Sequence, residues 1–481
     1  MKRRKFLKDT AFTVAALGTA SLYSHSAAQK KPNIIFILTD DQRYDAIGCL
    51  GNPPWLKTPN MDRLVKEGLL FRNAFCTDSL CAPSRSSFLT GKYAQKTGVI
   101  DNFRDFPSEN TTYPQLLQEA GYDTAFIGKW HMGEMRGPQP GFRRWVGFTG
   151  QGVYFDPVLN IDGKESKHTG YMTDLLTDYS VEFMKEKREK PFCLYLCHKA
   201  VHDFRDPAPR HENLYENENY PLPPNARYNM EGKPKCVIER SDLLKGPVPY
   251  KTMEDWQDYT RKYYQCLAAV DDSIGRILET LDQLGERENT IIVFAGDNGY
   301  LLGEHGMWDK RFAYEPSMRI PIVVYYSKMI KPGSTRDEMV LNIDVAPTML
   351  DIAGLSIPSY MQGKSFKSLL EGKTTSWRED FLYHYHVEID VSRMTPEERA
   401  AFDKKWRGMG LDPAPLIVPE NMAIRTKEWK YIAYPGIGET DELYNLVSDP
   451  YEMKNLISDP KFADVVKKMK ARLAQLVEEV E

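Results

Sequence analysis

The sequence lacks any apolar run approaching the ~20 residues that a membrane-crossing helix needs, and it contains no low-complexity stretch. It has no surplus of one charge sign: 63 Lys and Arg against 67 Asp and Glu leave a net charge of -4, too near neutrality for a chain that grips nucleic acid through general electrostatics. Cysteine is sparse, seven in 481 residues, so a disulfide scaffold is excluded and the fold must rest on a buried core. Glycine and proline, 32 and 31, stay far below collagen-like or disordered usage. What is present, 42% hydrophobic and 27% charged, is the composition of a globular enzyme. The length fits about three units of ~150 residues, or one large α/β domain with a smaller partner.

Lys2, Arg3, Arg4, Lys5 and Lys8 precede an apolar stretch from Ala11 to Leu17 that continues through Ala20 and Leu22, with Ser26, Ala27 and Ala28 beyond it. This is the charged, hydrophobic and cleavable plan of a secretory signal over residues 1–28. The run Arg3-Arg4-Lys5-Phe6-Leu7-Lys8 resembles a twin-arginine export motif, whose cargo crosses the membrane folded. An anchor is the alternative, but the apolar part is too short to span a bilayer. The expected location is periplasmic or extracellular, and loss of 1–28 takes the net charge from -4 to -8. In such an oxidising compartment an odd number of cysteines (49, 76, 81, 193, 197, 236 and 266) leaves at least one unpaired or chemically special.

Short apolar, β-branched runs at Ile34–Leu38, Thr124–Ile127, Phe192–Leu196, Ile291–Ala295 and Ile320–Tyr325 predict buried strands of a largely parallel sheet. Helical patterns lie between them at Met61–Glu67, Tyr113–Ala120 and Asp174–Lys187. A long one closes with Leu267, Val270, Ile274, Leu278, Leu281 and Leu284 before Gly285. The alternation predicts a layered α/β catalytic domain over residues 29–374. Residues 375–481, with a strand expected at Trp429–Tyr434 and an amphipathic terminal helix, read as a smaller α+β subdomain. The Pro-rich, polar stretch Phe204–Tyr250 is too long for an ordinary connection.

Each strand is followed by chemistry. Asp40 and Asp41 follow the first; Lys129 and His131 follow Thr124–Ile127; His198 and His202 follow Phe192–Leu196; Asp297 and Asn298 follow Ile291–Ala295. In open α/β sheets the ligand crevice lies beyond the carboxyl ends of the strands, so these endings are expected to converge. Asp40, Asp41, Asp297 and Asn298 offer only oxygen, which favours Ca²⁺ or Mg²⁺ over zinc. A zinc site from Cys193, Cys197, His198 and His202 is disfavoured, because a strand spreads the two cysteines about 13 Å apart and sends Cys197 and His198 to opposite faces. In Cys81-Ala-Pro83-Ser-Arg85-Ser-Ser-Phe-Leu-Thr-Gly91, Pro83 suits a first helical position and Gly91 a C-terminal cap. Cys81 is thus expected just before a short helix, where the dipole favours anions and Arg85 adds a cation. An inert packing cysteine is the competing reading.

Cys81-Ala-Pro83-Ser84-Arg85 followed by Leu89-Thr90-Gly91 closely resembles the signature of the formylglycine-dependent sulfatases. Gly128-Lys129-Trp130-His131-Met132-Gly133 is similar to the second signature, and Asn33 to Asp41 looks like the first strand and metal-binding turn. The likeness runs from about Pro32 to Leu443-Tyr444-Asn445-Leu446 and Asp449-Pro450. It implies an alkaline-phosphatase-like domain with a mostly parallel sheet flanked by helices, and an enzyme that hydrolyses sulfate esters on carbohydrate. It further implies that a formylglycine-generating or maturase enzyme converts Cys81 to formylglycine, and that Asp40, Asp41, Asp297, Asn298 and residue 81 bind one Ca²⁺. By the same resemblance Arg85 holds the hydrated aldehyde. Lys129, His202 and Lys310 bind the sulfate and assist the leaving alcohol, and His131 accepts a proton. Asp297-Asn298-Gly299 stands where Asp-His-Gly is more common; Asn also offers an oxygen.

The context Gly303-Glu304-His305-Gly306 before Trp308-Asp309-Lys310 is similar to glycan sulfatases, so His305 and Arg311 are candidate substrate contacts. His384 and His386, with Tyr383 and Tyr385, are further candidates, and Phe204–Tyr250 and Phe381–Glu420 are the expected specificity loops. Glycosaminoglycan or mucin sugars such as N-acetylglucosamine 6-sulfate are the expected substrates, with no nucleic-acid partner and no stable membrane span. The alternatives are a phosphonate or phosphodiester hydrolase of the same superfamily and a non-catalytic glycan-binding protein with unmodified Cys81.

Overall fold

The computed structural model describes residues 30–481 apart from 134–136, 242–251, 374–375, 388–393, 409–417 and 439. The export segment expected at 1–28 lies outside the described residues, as do parts of both expected specificity loops. All five apolar runs form strands: Asn33–Thr39, Asp123–Lys129, Phe192–Cys197, Thr290–Gly296 and Ile322–Tyr325. They belong to a ten-stranded sheet. Its centre is parallel, in the order Thr290–Gly296, Asn33–Thr39, Phe192–Cys197, Asp123–Lys129 and Arg144–Phe148. The strand expected from Ile320 begins only at Ile322, after Pro321, and runs antiparallel to both of its neighbours, Thr290–Gly296 and Leu69–Phe71.

The pleat sorts each strand onto two faces. Ile35 and Ile37 pack with the helices Met172–Lys185 and Met253–Leu284, whereas Ile34, Phe36 and Leu38 pack with the Cys81–Thr90 side. The long helix opens on a capping box, with the Thr252 hydroxyl accepting from the Asp255 amide, and closes on Gly285 at φ 66. Four antiparallel strands, Asp380–Tyr385, Asn421–Thr426, Trp429–Ala433 and Glu442–Asn445, form a second, smaller sheet. The helix Ala463–Val480 packs on it through Met469, Leu473 and Leu476. This smaller unit has no core of its own: its apolar residues belong to one cluster with a face of the large sheet, and the rings of Phe75 and Phe381 lie 4.8 Å apart. Among the described residues no helix is long and apolar enough to cross a membrane. All seven cysteines carry free thiols.

The register sets the site. Leu38 pairs with both Cys197 and Ala295, and Gly128 pairs with Cys197, so the central strands end level with one another. Whatever follows them emerges at one edge. Gly128 allows this closeness: its φ is +122, and a Cβ there would stand 1.8 Å from the Cys197 carbonyl oxygen. Gly128→Ala is therefore expected to cost more than about 3 kcal/mol of stability, read as a lower urea midpoint. Gly121→Ala has φ +94 but meets nothing within 4 Å, and should cost only about 1 kcal/mol.

Candidate active site

Asp40, Asp41, Asp297 and Asn298 leave the ends of adjacent strands and are fully buried. The first three carboxylates each offer an oxygen within 4.8 Å of the others, and Asp40, Cys81 and His202 form a second such group. Backbone and amide groups orient them. The Asp41 amide donates to Asp297 Oδ1 at 3.0 Å, the Asn298 amide donates to the same oxygen at 2.8 Å, and Asn298 Nδ2 donates to Asp41 Oδ1 at 2.7 Å. Asn298 Oδ1 is buried with no hydrogen-bond partner. Three buried carboxylates with oxygens within reach of one another, beside an amide whose own oxygen has no partner, are the donor set of a hard divalent cation, so these residues fit the implied metal. No cluster of metal-ligating side chains among the described residues includes Cys193 or Cys197.

Cations answer the carboxylates one for one. Arg85 places Nε and Nη2 on Asp297 Oδ2 at 3.0 and 2.8 Å and Nη1 on the Lys129 carbonyl at 2.8 Å. The Lys129 ammonium sits on Asp40 and on Gln151, and the Lys310 ammonium sits on Asp41 and 3.0 Å from Cys81 Sγ. Burial pushes Asp40 up, but Lys129, His202, Arg85 and Lys310 outweigh it and hold that carboxyl well below its usual range. Asp297 is pushed up to about 6, by burial first and by the Asp40 charge second. Burial, then the Coulomb repulsion of Lys129, lowers both His131 and His202, so both imidazoles are neutral at pH 7.

Cys81 is the first residue of the helix Cys81–Thr90, not the residue before it, and Pro83 is third rather than first. The first-turn amides have no intrahelical acceptors, so proline is tolerated throughout that turn. Gly91 closes the helix at φ 68, and all ten helical residues are buried. Cys81 Sγ lies 3.4 Å from Asp40 Oδ1. Burial, then the Asp40 charge, raises the thiol above its ordinary range despite the helix dipole. As cysteine, residue 81 is therefore a neutral thiol at pH 7 and a poor nucleophile.

His202 Nε2 lies 3.9 Å from Asp41 Oδ2, while Nδ1 donates to the Asp203 carbonyl at 2.6 Å, which fixes the ring. His131, at φ 59, is buried with Nδ1 unpartnered. His198 is not in the cluster: it faces the long helix, with Nε2 3.2 Å from Ser273 Oγ. His305 has both ring nitrogens engaged. It stacks on Tyr314 at 4.0 Å, and its nitrogens meet the Asn225 amide at 3.3 Å and the Tyr228 hydroxyl at 2.8 Å. Arg311, next to Lys310, pairs with Asp309. His384 and His386 stack at 3.8 Å beside the turn that leads into Cys81: the His384 amide donates to the Thr77 carbonyl, and His386 Nδ1 is 3.4 Å from Asp78.

Sequence reasoning missed Gln151 on Lys129, Asn102, whose Oδ1 accepts from the Ala82 amide at 3.0 Å, and the anchoring of His202 by Tyr154 and Asp203. None of them sits in a short motif, and Gln151, although it follows the buried strand Arg144–Phe148, comes after a run with too few β-branched residues to stand out in the sequence. They arrive from loops whose paths only the tertiary fold sets.

A family model described as Sulfatase matches residues 32–355, and one described as N-sulphoglucosamine sulphohydrolase, C-terminal, matches 303–409 and 411–479. The chain is 36% identical to an N-acetylglucosamine-6-O-sulfatase of Bacteroides thetaiotaomicron, covering 97% of this chain and 89% of that protein. It is 31% identical to the N-acetylglucosamine-6-sulfatase of Homo sapiens, covering 95% and 87%. A solved structure in complex with its substrate D-glucosamine-2-N,6-O-disulfate superposes with a TM-score of 0.81 at 34% identity, over 94% of this chain and 98% of that one. With the fold, the motifs and these likenesses in agreement along nearly the whole described length, the chain belongs to the sulfatase family.

Proposed function

We propose that this protein is an exported sulfatase that removes the 6-O-sulfate from N-acetylglucosamine or N-sulfated glucosamine in sulfated glycans. Cys81 would be converted to formylglycine by a maturation enzyme, and Asp40, Asp41, Asp297, Asn298 and residue 81 would hold Ca²⁺. The observation that carries this reading is the meeting of Cys81 with Asp40 and Lys310 at the start of a buried helix. The sugar is supported by relatives that are N-acetylglucosamine-6-sulfatases and by a similar structure holding glucosamine disulfate.

When bound, Ca²⁺ acts as a Lewis acid and template for the sulfate oxygens. Three buried carboxylates face Arg85, Lys129 and Lys310, so a divalent ion makes the site positive overall and suited to an anionic ester. In the proposed reaction a hydroxyl of hydrated residue 81 passes its proton to a neighbouring buried carboxylate and attacks sulfur, the bond from sulfur to the sugar oxygen breaks, and that oxygen leaves as the alcohol with a proton from the Lys310 ammonium. Arg85 orients that hydroxyl, and Lys129 holds the sulfate. His202, its Nδ1 anchored on the Asp203 carbonyl, presents Nε2 to the leaving oxygen alongside Lys310. His131 accepts the proton of the second hydroxyl as sulfate departs and the aldehyde returns. Arg311, His384 and His386 are proposed sugar contacts, while the engagement of both His305 nitrogens supports a packing role for that residue.

Protein with verified aldehyde at 81 should release sulfate from 6-sulfated hexosamines, and Cys81→Ser should lower kcat by about a thousandfold or more. Faster turnover of phosphonate or phosphate esters than of sulfate esters would favour the phosphorus-ester reading. Unmodified Cys81 in protein from its native host, seen by peptide mass spectrometry, would favour a glycan-binding role. Chelation should abolish activity, Ca²⁺ should restore it, and Asp297→Asn should weaken Ca²⁺ binding about tenfold or more by calorimetry.

A further inference from the structure

Lys310 reaches Cys81 from the segment Gly303–Glu315, whose regular structure before its last residue is one 3-10 turn at Glu304–Gly306 and a two-residue strand at Trp308–Asp309, so Lys310 itself lies in a loop. Its own neighbours hold unfavourable backbone: Asp309 has φ 88 and Arg311 has φ 85. Non-glycine residues keep such angles only where surrounding contacts over-determine them. Those contacts come from outside the catalytic sheet. The Arg311 carbonyl, one residue from Lys310, accepts from the Tyr383 hydroxyl at 2.8 Å and from Asn421 Nδ2 at 3.2 Å, both buried on the smaller sheet. Further along, Tyr314 donates to Glu442 at 2.8 Å, and Lys233, from the Pro-rich insertion, bonds Tyr314, Glu442 and the Glu452 carbonyl at 3.1, 3.1 and 2.9 Å. Glu315 pairs with Lys430 at 2.8 Å, and its amide donates to Glu452 at 2.8 Å.

We propose that the smaller C-terminal sheet and the described part of the insertion, residues 204–241, together form the positioning scaffold of Lys310, with Tyr383, Asn421, Glu442 and Lys233 as positioning residues. The inference rests on the proposed role of Lys310 at the sulfate and its leaving oxygen. It gives the insertion a task that its composition left open. It also explains why buried charges were kept where the smaller sheet meets the catalytic domain: every one of Lys233, Glu315, Lys430, Glu442 and Glu452 has a partner of opposite charge, so the network fixes one geometry.

The test is epistasis at the level of turnover. Tyr383→Phe, which deletes one hydroxyl, and Glu442→Gln should each lower kcat about ten- to a hundredfold while KM moves by less than about threefold, as expected for a misplaced catalytic group. In a Lys310→Ala background the same substitutions should change kcat by less than about twofold, because the group they position is gone. Equal losses in both backgrounds, or a change in KM alone, would overturn the proposal and leave these residues purely structural. If Glu442→Gln fails to fold, the paired Lys233→Met/Glu442→Gln variant removes both buried charges and carries the same comparison. A Lys310→Ala enzyme with undiminished kcat would instead sink the catalytic reading of Lys310 itself, a result distinct from additivity.

Discussion

Three carboxylates buried within reach of one another are the constraint on which the rest of this structure depends. Asp40, Asp41 and Asp297 repel one another in a place where water cannot screen them, and nothing in a generic core would tolerate them. The chain meets the difficulty with Arg85, Lys129 and Lys310, one from the buried helix, one from a strand end and one from the Gly303–Glu315 segment. That choice dictates much else. The helix must lie against the strand ends for Arg85 to span Asp297 and the Lys129 carbonyl, and the central strands must end level for the carboxylates to meet at all.

The parts legible in the sequence are those that repeat a simple pattern. Uninterrupted β-branched runs became the central strands within a residue or two. Polar residues directly after them came together because the parallel register leaves no other place for them. Where the local signal was ambiguous, the outcome shifted. Pro83 marks the first turn of its helix but not the exact position within it, and Pro321 sits before an antiparallel strand that periodicity alone could not orient. His198 and His202 have the same residue type and nearly the same position in sequence. Only the path of the chain after Cys197 sends the first toward Ser273 and the second toward Asp41. His305 is a candidate through the glycan-sulfatase-like context before Lys310, and the insertion, invisible to any periodic reading, supplies Asn225 and Tyr228 to its two ring nitrogens.

A division at about residue 375 separates two styles of sequence, but the packing does not respect it as a boundary between independent cores. Phe381, Tyr383, Ile424 and Tyr431 share one apolar cluster with Ile34, Phe36 and Phe88. A body joined this way moves little against its neighbour. The rigidity suits a site in which a lysine amine must stay within hydrogen-bond reach of residue 81.

The Cys81 side chain has no exposure to solvent, and the helix that begins with it is buried along its entire length. No second protein can engage a residue in that position without unfolding the centre of the molecule. If Cys81 is converted to formylglycine, the conversion therefore belongs to the life of the chain before it folds. A cell unable to modify the nascent chain would then be left with a folded but inert copy of it.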